Sequence, residues 1–216
     1  RADFILANPP FNISDWDGEL LRTDPRWKYG TPPPGNANFA WVQHMLHHLA
    51  PTGTMATVLA NGSLSSNTSG EGEIRKNLIE ADLVDCLIAL PPQLFFTTPI
   101  PVCIWFLTKD KSSQPAKSAR QGRVLFIDAR DMGSMISRKQ RELMPAEISQ
   151  IASVYHSWRG SPDLPDYENV PGFCASIPFE EIATQDYVLT PGRYVGTPVL
   201  ANDLEPAHDK IARIQK

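Results

Sequence analysis

The run Asp3-Phe4-Ile5-Leu6-Ala7-Asn8-Pro9-Pro10-Phe11-Asn12 brings together groups suited to holding a planar amine. Asn8 supplies an amide oxygen. Pro9 supplies a carbonyl on a residue that has no N–H of its own. Phe11 supplies an aromatic face. An amine conjugated to a ring is a poor nucleophile, because its lone pair is delocalised. Two acceptors on its two hydrogens draw the nitrogen toward tetrahedral geometry and aim the lone pair outward. A ring beside it holds the base by stacking, worth roughly 1–3 kcal/mol. The plainer reading of the same residues is a proline-rich strand exit with a packing phenylalanine, since a short motif alone is only a hypothesis.

The elements around the motif favour the chemical reading. Phe4 to Ala7 form an apolar run closed by Asn-Pro-Pro, which predicts a buried strand ending abruptly. Each proline has its φ fixed and Pro9 holds Asn8 extended, so the backbone at the strand's carboxyl end is rigid. Open α/β sheets bind ligands at that end. Residues 12–36 are polar, aromatic and rich in Pro and Gly, a long loop expected to be functional. Arg22, Arg26 and Lys28 within it could meet phosphates, with simple solvation as the alternative. Asn38 is expected to cap a helix running to about Leu49, with Phe39, Val42, Met45, Leu46 and Leu49 as its core stripe. His44 and His48 lie one turn apart, but with no Glu between them and no third ligand nearby they read as a solvated face.

A strand is expected over Thr54–Ala60, a Ser/Asn/Gly-rich mobile stretch over 61–72, a helix over Glu73–Ala81, and a strand over Leu83–Leu90 buried on both faces. Phe95 and Phe96 follow that strand, and either could cover the second face of a bound base. Asp3 and Asn61 are further candidates at strand ends. Val102–Leu107 is the next strand, joined without a helix and therefore free to be antiparallel. A polar connector spans 110–122. Val124–Ile127 reads as a strand, Pro145–Trp158 as a helix with Ile148, Ile151, Val154, Tyr155 and Trp158 inward, Phe173–Phe179 as a short strand, and Tyr187–Tyr194 as an extended segment with a turn. A helix is expected to begin at Glu205.

Composition sets limits. The chain has 216 residues, 42% hydrophobic, enough for one substantial core. Its net charge is −4, so it lacks the overall basic character of a protein that grips DNA alone. Cys86, Cys103 and Cys174 are widely spaced, which predicts buried thiols in a reducing compartment and fits neither a disulfide framework nor a zinc site. No signal peptide and no membrane-spanning run is seen, so a cytoplasmic location is expected. Arg1 stands directly before a strand, and no Gly-x-Gly-type loop follows a strand anywhere. The chain therefore reads as part of a longer protein, and the usual backbone cradle for a cofactor is missing from the stretch in hand.

Asn8-Pro9-Pro10-Phe11 resembles the catalytic motif of S-adenosylmethionine-dependent amino-methyltransferases, above all those acting on adenine in DNA. The resemblance extends along nearly the whole chain to the modification (methyltransferase) subunit of type I restriction–modification systems. It is carried by Trp27-Lys28-Tyr29-Gly30 to Asn38-Phe39-Ala40-Trp41, Gln43-His44-Met45-Leu46, Gly72-Glu73-Ile74-Arg75, Leu90-Pro91 to Leu107, Val124 to Ala129 and Pro191 to Val195. Leu59-Ala60-Asn61-Gly62 departs from it, lacking the proline usual before Asn-Gly. The resemblance implies the second half of a mostly parallel seven-stranded α/β methyltransferase sheet with an antiparallel strand, over residues 1–109. A linker (110–122), a family-specific extension (123–195) and a tail (196–216) follow. It further implies adenine methylation in DNA with S-adenosylmethionine as cofactor, catalytic Asn8, Pro9, Pro10 and Phe11, stacking by Phe11 and by Phe95 or Phe96, Asn8 also against the cofactor, and the main cofactor loop upstream of the motif, so that residues 1–216 alone are expected to bind the cofactor weakly or not at all. The partners it implies are DNA, a specificity subunit, a restriction subunit and a second modification subunit. The tail is a candidate docking element for the specificity subunit; folding back on its own domain is the alternative. Two other functions stay open: methylation of another planar amine or amide, in an RNA base or a protein glutamine, and a non-catalytic role in assembly.

Overall fold

The computed structural model describes residues 1–112 and 120–197. The chain runs β1 (Ala2–Ala7), α1 (Asn38–His48), β2 (Leu49–Ala60), α2 (Glu71–Glu80), β3 (Val84–Ala89), β4 (Val102–Thr108) and β5 (Arg123–Asp128). A small hairpin, β6 (Ser134–Met135) and β7 (Arg141–Glu142), precedes α3 (Pro145–Trp158), β8 (Cys174–Pro178) and α4 (Phe179–Thr184). Six strands form one sheet in the order β1-β2-β4-β3-β5-β8. β1, β2, β3 and β5 point the same way; β4 and β8 run against them. This is the mostly parallel α/β sheet expected, with β4 inserted antiparallel between β2 and β3. The direct, helix-free connection from β3 to β4 permits that insertion.

Apolar patterning places the layers. All six residues of β3 are buried, as its near-continuous apolar run requires. On one face α1 and α2 pack Phe39, Val42, Leu46, Ile74 and Leu78 against Met55, Leu59, Trp105 and Leu107. On the other, Tyr155 and Trp158 of α3 cover Cys86, Ile88, Leu125 and Ile127. All three cysteines are free and buried. The linker joins this second layer through charge: Arg120 and Asp85, both fully buried, pair at 2.5 Å. Tyr155 donates its hydroxyl to the other Asp85 oxygen at 3.0 Å, and Arg159 donates to that hydroxyl at 2.9 Å.

Several expectations need correction. β1 is an edge strand, not a buried one: Phe4 is 80% and Leu6 85% exposed. An apolar run reports the tendency to be covered, and among the described residues nothing packs on this side of β1. Leu6 instead borders a hollow of about 620 Å³ lined by Ile88, Ile104, Phe106, Ile151 and Tyr155. Ile148, expected inward, is exposed at the rim of the same hollow. Asn38 does not cap α1; it lies inside the first turn with its side chain turned to the preceding loop. β2 starts at Leu49, directly after α1, so Pro51-Thr52-Gly53 lies within a strand. Residues 61–72 fold as two 3₁₀ turns leading into α2, with Leu64 in the core. Pro191–Arg193 forms a 3₁₀ turn, and no strand spans Tyr187–Tyr194. The helix expected from Glu205 falls outside the described residues.

Candidate active site

β1, β2, β3 and β5 end on one rim, so Asn8, Asn61, the 90–101 loop and the start of the β5–α3 connection converge there. β1 stops because Pro9 and Pro10 have no N–H to extend the ladder. Asn8, immediately beyond the strand, is exposed; Pro9 and Phe11 are half-buried. The chain then reverses at Asn12, whose φ of 54° lies in the left-handed region unusual for a residue with a side chain. A clasp holds that bend. The Asn12 N–H donates to Oδ1 of Asn38 at 3.1 Å, and Nδ2 of Asn38 donates back to Oδ1 of Asn12 at 2.9 Å. Asn36 accepts the Asn38 N–H at 2.9 Å, and the Ala37 N–H donates to the Ile13 carbonyl at 2.9 Å.

The opposing wall is the loop after β3. Phe95 meets Phe11 edge to face, with ring centroids 5.6 Å apart and planes at 81°. Phe96, the next residue, points to solvent with 89% exposure. The two rings that the sequence left equivalent are thus separated: the structure places Phe95 beside the motif and Phe96 away from the core. The loop is closed by the Gln93 N–H donating to the Pro99 carbonyl at 3.3 Å, with Gln93 itself at φ 67°. It is tied to the extension where the Arg141 N–H donates to the Gln93 carbonyl at 2.9 Å. Arg141 also donates its guanidinium to the carbonyls of Met132 and Gly133, each at 3.0 Å, bracing the hairpin behind Phe95.

Both loops that carry the facing rings therefore contain a non-glycine residue in the left-handed region. Such residues persist only where their surroundings over-determine them, and they cluster at ligand sites. Asn61 lies on the same rim at the end of β2, its side-chain oxygen buried with no partner among the described residues. Asp3, by contrast, sits near the opposite end of β1 and is exposed.

Residues 12–36 form a folded flap along α1. Tyr29 N–H donates to Oε1 of Gln43 at 2.9 Å, and Nε2 of Gln43 donates to the Gly30 carbonyl at 2.7 Å. Trp16 and Trp27 pack edge to face at 6.0 Å. Arg26 grips Asp24 through two donors at 2.8 and 2.6 Å and donates to Nδ1 of His44 at 2.6 Å. Hydrogen bonds from Arg26 hold the Asp24 carboxyl down to about 2. Burial, with the charges of His48 and Arg26, lowers the His44 pKa, and Nδ1 accepts because a guanidinium can only donate. Arg26, offered by the sequence as a phosphate contact, is thus committed to holding the flap. Arg22 and Lys28 are exposed.

The described residues bring an asparagine amide, a proline carbonyl and two facing aromatic rings to one rim of the sheet. No glycine-rich turn follows a strand among the described residues. Among them, no helix is long and apolar enough to cross a membrane. The sequence reading missed the Asn12–Asn36–Asn38 clasp and the Gln93–Arg141 tie. The first had a visible signal, two asparagines spaced by two at the start of a helix; the second, across the sheet rim, had none.

A family model described as N-6 DNA Methylase matches residues 1–203. The methylase subunit of the type I restriction enzyme HindI from Haemophilus influenzae is 52% identical over 214 residues, 99% of this chain and 46% of that protein. The MjaIX methylase subunit from Methanocaldococcus jannaschii is 42% identical over 91% of this chain and 35% of its own length. Among solved structures, the methyltransferase subunit of a type I restriction–modification system from Streptococcus thermophilus aligns at a TM-score of 0.75 and 34% identity, covering 89% of this chain and 38% of that one. The chain spans less than half the length of these relatives.

Proposed function

Since the chain belongs to the N-6 DNA methylase family, we propose that it serves methyl transfer to the exocyclic amine of adenine in DNA. The context is the modification subunit of a type I restriction–modification complex. The observation that carries this reading is the position of Asn8-Pro9-Pro10-Phe11: it leaves a strand at the sheet's ligand-binding rim, with Phe95 facing Phe11.

The adenine is taken out of the duplex, since its amine cannot be reached within the stack. Asn8 Oδ1 and the Pro9 carbonyl each accept one amine hydrogen, and Phe11 stacks on the base. Phe95 braces Phe11 from its edge and limits the slot's width. The nitrogen loses a proton readily once methylated, so no strong general base is needed. Alignment carries most of the rate. S-adenosylmethionine, when bound, supplies an electrophilic methyl group. The grip on DNA comes largely from a partner, because Lys and Arg on phosphates provide most non-specific affinity and this chain is net −4. That partner is a specificity subunit that reads the sequence; a restriction subunit and a second modification subunit complete the assembly.

The test uses the full-length protein in its complex, with radiolabelled methyl donor and DNA, RNA and protein acceptors. Label in DNA alone is expected. Label in RNA or protein with none in DNA overturns the substrate, and no transfer to any acceptor by a folded, assembled complex overturns the enzymatic reading.

A further inference from the structure

We propose that Asn38 is a positioning residue for this reaction, acting through Asn12 to fix the Asn8-Pro9-Pro10-Phe11 turn in its working geometry. The inference rests on the methyl-transfer reading above and adds to it a residue outside the motif, 26 positions beyond Asn12.

Asn8 and Pro9 grip one edge of the base while Phe11 lies on its face, so the rate depends on their relative placement. Pro9 and Pro10 stiffen the backbone on the amino side of Phe11. On the carboxyl side stands Asn12, at φ 54°, a conformation that an asparagine visits but does not prefer. Left alone, that residue would relax toward negative φ and swing Phe11 with it.

Asn38 prevents this. One amide spans both the backbone and the side chain of Asn12, accepting at 3.1 Å and donating at 2.9 Å. Asn38 is 2% exposed, so its amide is held in the protein and has Asn12 as its partner in both bonds. Its own backbone N–H is held by Asn36, and Asn36 reaches Oδ1 of Asn12 at 3.5 Å. The helix beneath cannot yield, because the neighbouring Phe39 and Val42 are fully buried and Phe39 packs edge to face on Trp105 at 5.8 Å. The geometry thus links the rigid core to the motif through one buried amide. An amide donates and accepts through separate atoms, so one side chain serves both the backbone N–H and the side-chain oxygen of Asn12. Aspartate would turn the donor into a second acceptor facing Asn12 Oδ1, and leucine would remove both bonds.

The experiment compares wild type, Asn38→Ala, Asn38→Asp, Asn12→Ala, the double variant Asn12→Ala/Asn38→Ala and Asn8→Ala, each in the full-length subunit within its complex. Steady-state methyl transfer is normalised to folded protein. The expected result is a kcat on the order of tenfold to hundredfold lower in Asn38→Ala and Asn12→Ala, as for a misplacement near 1 Å, with the KM for the methyl donor unchanged. Asn38→Asp should not rescue. The double variant should be no slower than the worse single variant, because both changes break the same link. Asn12 is exposed, so Asn12→Ala reports even if Asn38→Ala folds poorly. Wild-type kcat in folded Asn12→Ala, or fully additive losses in the double variant, overturns the clasp. An inactive Asn8→Ala beside such a result leaves the methyl-transfer reading standing, whereas an Asn8→Ala as fast as wild type overturns that reading and the clasp with it.

Discussion

Replacing Asp85 by leucine tests what the buried ion pair contributes. Asp85 and Arg120 are both fully buried and meet at 2.5 Å. Removing the carboxylate leaves a guanidinium without its counter-charge in a low-dielectric site, which costs about 3–5 kcal/mol. The Tyr155 hydroxyl loses its acceptor at the same time. At about 2–4 °C per kcal/mol for a domain of this size, Tm should fall by about 6–20 °C. The pair is not optimal as it stands: Nε and Nη2 of Arg120 have no partner among the described residues. Asp85→Leu/Arg120→Met should therefore regain most of the loss, since desolvating two charges offsets much of their attraction. Thermal unfolding of the full-length subunit followed by tryptophan fluorescence suits the measurement. Trp158 lies 5.5 Å from the Arg120 guanidinium and reports locally. A double variant as unstable as the single one would refute the argument from unpaired charge, as would a single variant of wild-type stability.

Three other outcomes are expected. Burial raises the pKa of the Cys86, Cys103 and Cys174 thiols, Cys103 to about 12, so all three should resist a thiol reagent at pH 8 until the protein unfolds; reaction at the rate of free cysteine would contradict their placement. Asp24 is held at about 2 by its hydrogen bonds to Arg26, below the ordinary carboxylate value of 3.8, so its support for the 12–36 flap is complete above pH 4 and is lost as pH falls toward 2; Trp16 and Trp27 fluorescence should change in that window, and in Asp24→Asn the change should vanish. Phe95→Ala should slow methyl transfer more than Phe96→Ala, because only Phe95 touches Phe11, a contact worth about 0.5–1.5 kcal/mol beyond its area; equal effects would remove the distinction between the two rings.

What was legible in the sequence was local. The Asn8-Pro9 stop to β1, the stripe on α1, the nearly all-apolar β3 and the bounds of α3 each follow from periodicity or from proline. What was hidden was relational. Periodicity cannot say that β4 inserts between β2 and β3, because either antiparallel neighbour satisfies the same apolar pattern. It cannot say that Phe4 and Leu6 lack cover, since that depends on what packs against the sheet. Phe95 and Phe96 are identical residues after a strand, and only the Gln93–Pro99 closure separates them. Arg120 sits in a polar connector, yet it becomes a buried counter-charge because Asp85 interrupts an otherwise apolar strand. That interruption was the one sequence signal for it.

The central claim is that Asn8 and Phe11 hold an adenine amine for methylation. It is tested most directly by digesting DNA to nucleosides after incubation with the full-length complex and S-adenosylmethionine, and measuring N6-methyladenine for wild type, Asn8→Ala and Phe11→Ala. N6-methyladenine should form with wild type, vanish with a folded and assembled Asn8→Ala, and fall with Phe11→Ala in proportion to a lost stack of roughly 1–3 kcal/mol. Wild-type levels of N6-methyladenine from folded Asn8→Ala, or a methylated nucleoside other than N6-methyladenine from wild type, would contradict it.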